Sequence, residues 1–205
     1  MRHDNIMYLR TIQASALKTI FEVLKDVVND VNVYFSPAGI KILTLDVARV
    51  TLIHMFLPAE NFEEYECASE IIAGLNMSNT YKLLKSITTN DSVSMRIQDH
   101  DVLEIQIENT VKNSGTVFRL KLLDINEDIL DDPKIELKLV TTIPSVDFQR
   151  VARDMANLSN EMIIFREGSK LELSCQGDFA DQKTVLNCNA DEAKHRVGNV
   201  FSLKY

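Results

Sequence analysis

One order of elements occurs twice along the sequence, and this repeat restricts the fold more than any other feature. Residues 14–28 carry apolar side chains at helical spacing and precede two strand-like segments, 31–35 and 40–45, which a Ser-Pro-Ala-Gly turn joins. The same order of helix, strand, turn and strand returns between Ser145 and Cys175. Phe35 and Phe165 are predicted to occupy equivalent places about 130 residues apart. The repeat predicts two similar domains, each combining a helix with strands joined by a hairpin turn.

Further elements are predicted in the first repeat. A second helix is expected over residues 78–88, with Ser78 as its N-cap and with Tyr81, Leu84 and Ile87 buried. Additional strands are expected over residues 50–57, 92–98, 102–108, 116–123 and, after the repeat boundary, 135–143.

An acidic segment ending in proline separates the two repeats. It has neither helical nor strand periodicity, which predicts an N-terminal domain at 1–123, an interdomain connector at 124–133 and a C-terminal domain at 134–205. Its Ile125, Ile129 and Leu130 are unusual for a solvated tether, so they are expected to lie against the surface or to meet a partner. The second repeat ends at Tyr205 before a counterpart of helix 78–88, so the second domain is expected to be incomplete at its C-terminus.

Composition limits the possible partners and compartments. The chain has 22 Lys and Arg against 30 Asp and Glu, a net charge of −8, so contact with nucleic acid requires a local concentration of cations. No apolar run approaches the roughly 20 residues of a membrane span, and no signal peptide is recognisable, which predicts an intracellular protein. Cys67, Cys175 and Cys188 form no CxxC pair, which predicts reduced thiols and no structural metal.

The sequence offers little support for an enzyme. GxxxxGK[ST], HExxH, GxSxG and GxGxxG are all absent, so no catalytic residue is assigned. The four histidines are scattered, and His54 in an apolar strand is interpreted as a structural residue. The acidic segments 60–66 and 124–132 lack the spacing of a calcium loop and are interpreted as solvated turns and linker. No metal and no cofactor are predicted.

Paired cations on the predicted helices give the positive functional signal. On each of three helices two basic residues are spaced three or seven apart, which places them on one helix face. A solvated face explains any single pair, but recurrence at equivalent places in the two repeats favours a shared surface for phosphates. The residues are Lys18, Lys25, Lys82, Lys85, Arg150 and Arg153.

An ordered series of short motifs resembles the eukaryotic-type sliding clamp family, proliferating cell nuclear antigen. Each motif is weak alone, but the series runs in register over essentially the whole chain, connector included. The motifs are Gly74-Leu75-Asn76-Met77, Lys82-Leu83-Leu84-Lys85, Leu45-Asp46 within 39–57, Asn61-Phe62, Tyr65-Glu66-Cys67 and residues 148–154.

The resemblance implies the DNA-clamp fold, an α+β fold of two similar domains, each with antiparallel sheets and helices on one face. Its implied function lies in DNA replication and repair, in the nucleus or at a viral replication site. Members form a homotrimeric ring that encircles duplex DNA, is placed there by a clamp loader, and acts as a processivity factor for DNA polymerase. The resemblance assigns the six helix cations to DNA contact. It also implies a pocket for clamp-binding peptides at Leu45, Val47, Arg49, Val50, Ile125, Ile129 and Leu130.

The sequence differs from the family pattern at two places, and the resemblance also implies a subunit interface. Arg49 stands where the family usually has a histidine, and the connector is one residue longer near Asp131 and Asp132. Subunit contacts are implied between strand 116–122 and strand 183–188, unless these are interior strands. The interface residues are Phe118, Leu120, Thr184, Val185 and Leu186.

Two other functions remain open from the sequence. A clamp-like checkpoint or transcription scaffold would work in a hetero-oligomer, and its chain would not trimerise alone. An enzyme is the weakest alternative, because no combination of nucleophile, base and orienting group is recognisable.

Overall fold

The computed structural model describes residues 6–99, 101–126, 130 and 141–187, together with the backbone of 199–204. Contacts divide the chain into two compact units, Met1–Pro133 and Lys134–Tyr205. Their described parts contain antiparallel sheets and a few helices, as the α+β prediction requires.

The first unit contains two sheets and two α-helices in its described part. One sheet has the strand order β4-β3-β2-β6 and the other the order β5-β1-β7-β8-β9. The elements in chain order are β1 (Met7–Thr11), α1 (Ala14–Val27), β2 (Asp30–Ser36), β3 (Gly39–Leu45), β4 (Leu52–Pro58), a 3-10 turn (Ala59–Asn61), β5 (Glu64–Cys67), β6 (Ile71–Asn76), α2 (Met77–Leu84), β7 (Asp91–Ile97), β8 (Val102–Asn109) and β9 (Ser114–Lys121).

The core of the first unit follows from the sequence periodicities. Helix α1 buries Leu17, Phe21 and Leu24, which recur at three- and four-residue intervals on one face. Strand β1, and strand β7 from Val93 onward, bury every second residue, so each contributes one face to the same apolar cluster. Each of these large side chains contributes roughly 1.5–3 kcal/mol when fully buried.

The second unit contains α3 (Ser145–Ala156), β10 (Glu161–Glu167), β11 (Lys170–Gln176), β12 (Asp181–Asn187) and β13 (Asn199–Lys204). Its sheet has the order β12-β11-β10-β13, which matches β4-β3-β2-β6 strand for strand. The predicted repeat is therefore present in the strand topology of both units.

The register of the repeat differs from the prediction by one residue. Ser36 pairs with Gly39 in the first hairpin, and Glu167 pairs with Lys170 in the second. Phe35 therefore corresponds to Arg166, at an offset of 131 positions (166 − 35), and the predicted match with Phe165 is wrong. Phe35 and Arg166 are both buried, whereas Phe165 is only partly buried, because neighbouring strand residues face opposite sides of a sheet.

The boundaries of helix α2 also differ from the prediction. Its N-cap is Asn76, whose side chain accepts a hydrogen bond from the Asn79 amide, and not Ser78. The helix ends at Leu84, before the predicted end at residue 88, and Tyr81 is only half-buried. Asn76 is the last residue of β6, so the end of that strand fixes where the helix begins.

Some elements were missed in the sequence. Strand β6 was not predicted, no residue range was predicted for β1, and β5 lies in the acidic segment 60–66 that was interpreted as a turn. The predicted strand 135–143 falls mainly outside the described residues, and residues 141–143 are not in a strand. Cys67 and Cys175 are free thiols, whereas Cys188 lies outside the described residues.

Candidate functional site

Polar side chains join helices α1 and α2 of the first unit. The Lys18 ammonium donates a hydrogen bond of 2.9 Å to the carbonyl oxygen of Ile87, just beyond the end of α2. The Tyr81 hydroxyl on α2 donates one of 2.8 Å to Glu22 Oε1 on α1. These contacts bring the four predicted lysines of the first unit onto two adjoining helices, which form a surface called here the helix-pair surface.

Lys25 has the most constrained ammonium group of this surface. Its Nζ lies 2.5 Å from Asp26 Oδ1 and 5.2 Å from the centroid of the Tyr81 ring. The hydrogen bond to Asp26 raises the pKa of Lys25, and the hydrogen bond to Glu22 raises the pKa of Tyr81. Lys25 therefore remains a cation throughout the neutral range.

Lys82 and Lys85 are the exposed cations of α2. Lys82 Nζ is 3.2 Å from Asn79 Oδ1, a neutral partner, so its charge is not compensated there. Both residues lie at the end of the helix, where positive charge is favoured by the helix dipole. These two lysines are better placed than Lys18 to meet an anion from solution.

Helix α3 of the second unit exposes Arg150 and Arg153. Arg150 is 3.7 Å from Asp147 one turn away, an exposed pair of little energetic weight. Helices α1 and α3 begin at Ala14 and Ser145, which preserves the offset of the hairpins.

This offset corrects one part of the charge argument. At an offset of 131 positions, Lys18 and Lys25 of α1 correspond to Gln149 and Ala156 of α3. Arg153 of α3 corresponds to Glu22 of α1. The basic residues therefore do not recur at equivalent helix positions, although both helices are amphipathic and carry exposed cations.

A groove of about 410 Å³ opens at the end of β3 in the first unit. Leu45, Val47, Arg49 and Leu130 of the predicted peptide pocket line it. Its other walls come from the α1–β2 connection and from polar groups, and they comprise Val28, Asn29, Asp30, Thr44, Asp46 and Asn126.

Asp46 organises the loop beside this groove. Its Oδ1 accepts hydrogen bonds from the amides of Val50 (2.8 Å) and Thr51 (2.9 Å). These amide bonds, that of Thr51 first, lower the pKa of the Asp46 carboxyl. Arg49 lies inside this loop in the left-handed region, at φ 57°, and its side chain is exposed at the groove.

The remaining pocket residues have other surroundings. Val50 is 83% exposed and does not line the groove. The Ile125 carbonyl oxygen accepts a hydrogen bond of 3.1 Å from the side-chain amide of Asn32, and Cδ1 of Ile125 lies against Gly74. Ile125 therefore fixes the connector to the sheet. Leu123 and Gly74 form an antiparallel bridge just before it. Ile129 lies outside the described residues.

The two predicted interface strands are both sheet edges. Strand β9 is paired with β8 alone and β12 with β11 alone among the described residues, so neither is an interior strand of its sheet. Each therefore presents backbone amides and carbonyls that another strand can pair with.

The side chains on these edges alternate in exposure. Phe118 and Leu120 of β9 are partly buried against their own core, whereas the neighbouring Val117 is 53% exposed. On β12, Val185 is 48% exposed, and Thr184 and Leu186 are partly buried. Val117, which sequence reasoning missed, is thus an outward apolar residue on β9.

The described residues contain no group of three or more His, Cys, Asp or Glu side chains placed to hold a metal ion. Within the same residues, no helix has the length and apolar character needed to cross a membrane.

Family comparisons agree with this architecture over nearly all of the chain. The profile of the proliferating cell nuclear antigen N-terminal domain matches residues 6–130, and that of the C-terminal domain matches residues 131–204. The chain belongs to the proliferating cell nuclear antigen family. It is therefore a member of the DNA polymerase sliding clamps, and its fold is the DNA-clamp fold.

Individual relatives place the chain among viral and cellular clamps. It is 36% identical over 223 aligned positions to a probable DNA polymerase sliding clamp of Paramecium bursaria Chlorella virus 1, covering 100% of this chain and 83% of the relative. It is 30% identical to proliferating cell nuclear antigen of Chaetomium thermophilum, covering 96% and 80%. The crystal structure of the Entamoeba histolytica protein superposes with a TM-score of 0.86 at 21% identity, over 98% of this chain and 81% of that one.

Proposed function

We propose that this chain is a subunit of a sliding clamp that encircles duplex DNA as a homotrimeric ring. It acts without catalysis as a processivity factor for DNA polymerase and as a docking platform for replication and repair proteins. Its place of action is the site of DNA replication, in the nucleus or at a viral replication site. A clamp loader opens and closes the ring around DNA.

Family membership together with the helix-pair surface carries this proposal. Lys82 and Lys85 are exposed on a long flexible stem and are not paired with a carboxylate by any contact found in the described residues. Such cations bind backbone phosphates without reading bases, so contact does not depend on sequence and weakens with salt. A contact of that kind suits a protein that slides, because enclosure rather than affinity keeps it on DNA.

The net charge of −8 is consistent with a protein that is kept on DNA by enclosure and not by tight binding. An acidic protein repels the phosphate backbone except where cations are concentrated. We infer that Lys18, Lys25, Arg150 and Arg153 assist Lys82 and Lys85, with Lys18 limited by its bond to Ile87.

Charge reversal on α2 tests the proposed DNA contact. The double variant Lys82→Glu, Lys85→Glu should lose loader- and clamp-dependent stimulation of polymerase synthesis while its thermal unfolding is unchanged. The matched control is Lys112→Glu with Lys170→Glu, two exposed lysines outside the helices, on the β8–β9 turn and at the start of β11. If the α2 double variant stimulated the polymerase as strongly as the control double variant, the phosphate role of Lys82 and Lys85 would be refuted.

The edge strands support ring formation. Pairing of β9 in one copy with β12 in another would extend both sheets and cover two exposed edges. Phe118, Leu120, Thr184, Val185 and Leu186 would then lie at the subunit boundary. Native mass spectrometry of the full chain should show three copies; a chain that remains monomeric until another clamp-like chain is added would favour the hetero-oligomeric checkpoint or transcription scaffold.

The groove is proposed as the docking site for clamp-binding peptides. Leu45, Val47 and Leu130 supply apolar contacts, and Arg49 supplies a cation at the rim. Leu45→Ser should weaken binding of a fluorescent clamp-binding peptide about tenfold, whereas Ile72→Ser, on an exposed position of β6, should not. Similar losses for both variants would show that the groove is not the site.

A further inference from the structure

One aromatic residue of the helix-pair surface contacts both an acidic residue and a cation. Tyr81 extends from α2 to α1, where its hydroxyl donates a hydrogen bond of 2.8 Å to Glu22. Its ring centroid lies 5.2 Å from Lys25 Nζ. The ring is half-buried and packs against the core of the first unit, so its position is fixed from below.

Two carboxylates compete for the Lys25 ammonium. Asp26, its neighbour in sequence, already lies 2.5 Å from Nζ, and Glu22 stands three residues earlier on the same helix face. The Tyr81 hydroxyl occupies one oxygen of Glu22. This bond engages Glu22 and leaves Asp26 as the carboxylate that Lys25 contacts.

An aromatic face holds a cation differently from a carboxylate. It attracts the ammonium through its quadrupole and leaves the full positive charge in place. A carboxylate cancels that charge and must be displaced before a phosphate can bind. The ring therefore holds Lys25 without taking up its charge, which leaves the Asp26 carboxylate as the group that a phosphate must displace.

We propose that Tyr81 is a positioning residue that keeps Lys25 directed toward the DNA phosphate backbone. This inference rests on the proposed function of the helix-pair surface. Tyr81 acts through Lys25 and need not touch DNA itself. In its absence Glu22 is released to join Asp26 at the Lys25 ammonium, so that a phosphate must displace two carboxylates instead of one.

Binding of the full chain to a fluorescent DNA duplex, measured by anisotropy over a series of low salt concentrations, tests this role. Tyr81→Leu should weaken binding about two- to fivefold, as expected for an exposed cation on a ring. Tyr81→Phe keeps the ring and its packing and should restore nearly full affinity. Tyr34→Leu is the matched control, because Lys41 lies 5.7 Å from the Tyr34 ring and both residues belong to the β2–β3 hairpin and not to the helices.

A double-mutant cycle with Lys25→Ala decides whether Tyr81 acts through Lys25. Lys25→Ala should weaken binding by at least as much as Tyr81→Leu and lower the salt slope by about one unit. Adding Tyr81→Leu to Lys25→Ala should then have no further effect. Additive losses, an unchanged affinity of Tyr81→Leu, or a Tyr81→Phe variant as weak as Tyr81→Leu would each overturn the proposal.

A spectroscopic readout covers the case in which Tyr81→Leu does not fold. The Lys25 methylene protons next to the ammonium should show an upfield ring-current shift in the unaltered chain and in Tyr81→Phe. Random-coil shifts in the unaltered chain would overturn the proposal without any variant. Loss of binding in Lys82→Glu, Lys85→Glu but not in Tyr81→Leu would reject this inference alone, whereas no loss in either would reject the DNA-binding function.

Discussion

The hairpins β2–β3 and β10–β11 have the same register but different interiors. Phe35 contributes a buried ring in the first unit, and Arg166 occupies the matching position in the second with 5% of its surface exposed. Its Nε donates to the Gly168 carbonyl at 3.0 Å, and a guanidinium nitrogen donates to Thr141 Oγ1 at 2.6 Å. The strand order therefore tolerates either an apolar side chain or a hydrogen-bonded cation at this buried position.

Truncation of the two side chains should separate these modes of stabilisation. Phe35→Ala should lower the free energy of unfolding of the first unit by about 3 kcal/mol, because a large cavity opens in its core. Arg166→Ala should cost the second unit about 2 kcal/mol, because the Thr141 hydroxyl and the Gly168 carbonyl lose a charged donor. Hydrogen exchange of the β2 and β10 amides measures each unit separately.

Replacements that conserve volume sharpen this test. Phe35→Leu should recover most of the stability lost in Phe35→Ala, because the site requires only apolar volume. Arg166→Met keeps the aliphatic stem but should recover little, because the hydrogen bonds are missing. Full recovery by Arg166→Met would show that Arg166 acts through packing alone.

The hairpin turns differ in how strictly they require glycine. Gly39 has φ 141°, and an added Cβ would lie 2.1 Å from the Leu57 carbonyl oxygen, whereas Gly168 has φ 58° and open space around it. We expect Gly39→Ala to cost about 3 kcal/mol through strain and collision, and Gly168→Ala about 1 kcal/mol through strain alone. Chemical denaturation followed at amides of each hairpin gives both values, and equal costs would contradict the predicted steric difference.

The connections after β3 and β11 differ in their response to acid. Asp46 holds the first through amides of Val50 and Thr51, whereas the Gly177 amide and Ala180 carbonyl hold the second at 3.1 Å. Because the folded Asp46 pKa lies below the ordinary 3.8, its contribution is complete above pH 3.8 and is lost as the pH falls through the lowered pKa. The Val50 and Thr51 amide shifts should titrate there, whereas the Gly177 amide should not.

A substitution provides the control for this titration. Asp46→Asn removes the carboxylate and should abolish the acid-dependent shifts of both amides while leaving the strands intact. Persistence of the titration in Asp46→Asn would assign it to another acidic group.

The fold was predictable from the sequence wherever one periodicity dominated. Helices α1 and α3 and the hairpin strands were recognised because their apolar residues follow intervals of three to four or of two. The N-cap of α2 was not, because Asn76 and Ser78 are both good caps and the end of β6 decides between them. Strand β5 was missed because its polar residues lie at an exposed sheet edge.

The sites were predictable in position more than in detail. Spacing alone placed Lys82 and Lys85 on one exposed side of α2; both residues are exposed, and Lys85 is the C-cap just after the helix. It could not show that Lys18 bonds to Ile87 or that Tyr81 lies beside Lys25, because both contacts join residues more than fifty positions apart. The one-residue error in the repeat also concealed the correspondence between Glu22 and Arg153.

The two sheet edges differ from each other, and this affects how copies of the chain can associate. The β9–β12 contact proposed above would join unlike edges, so a row of copies would always keep one free β9 and one free β12 at its two ends. Only a closed ring would have no free end. Opening of the proposed ring would therefore expose edges at which fibres could grow.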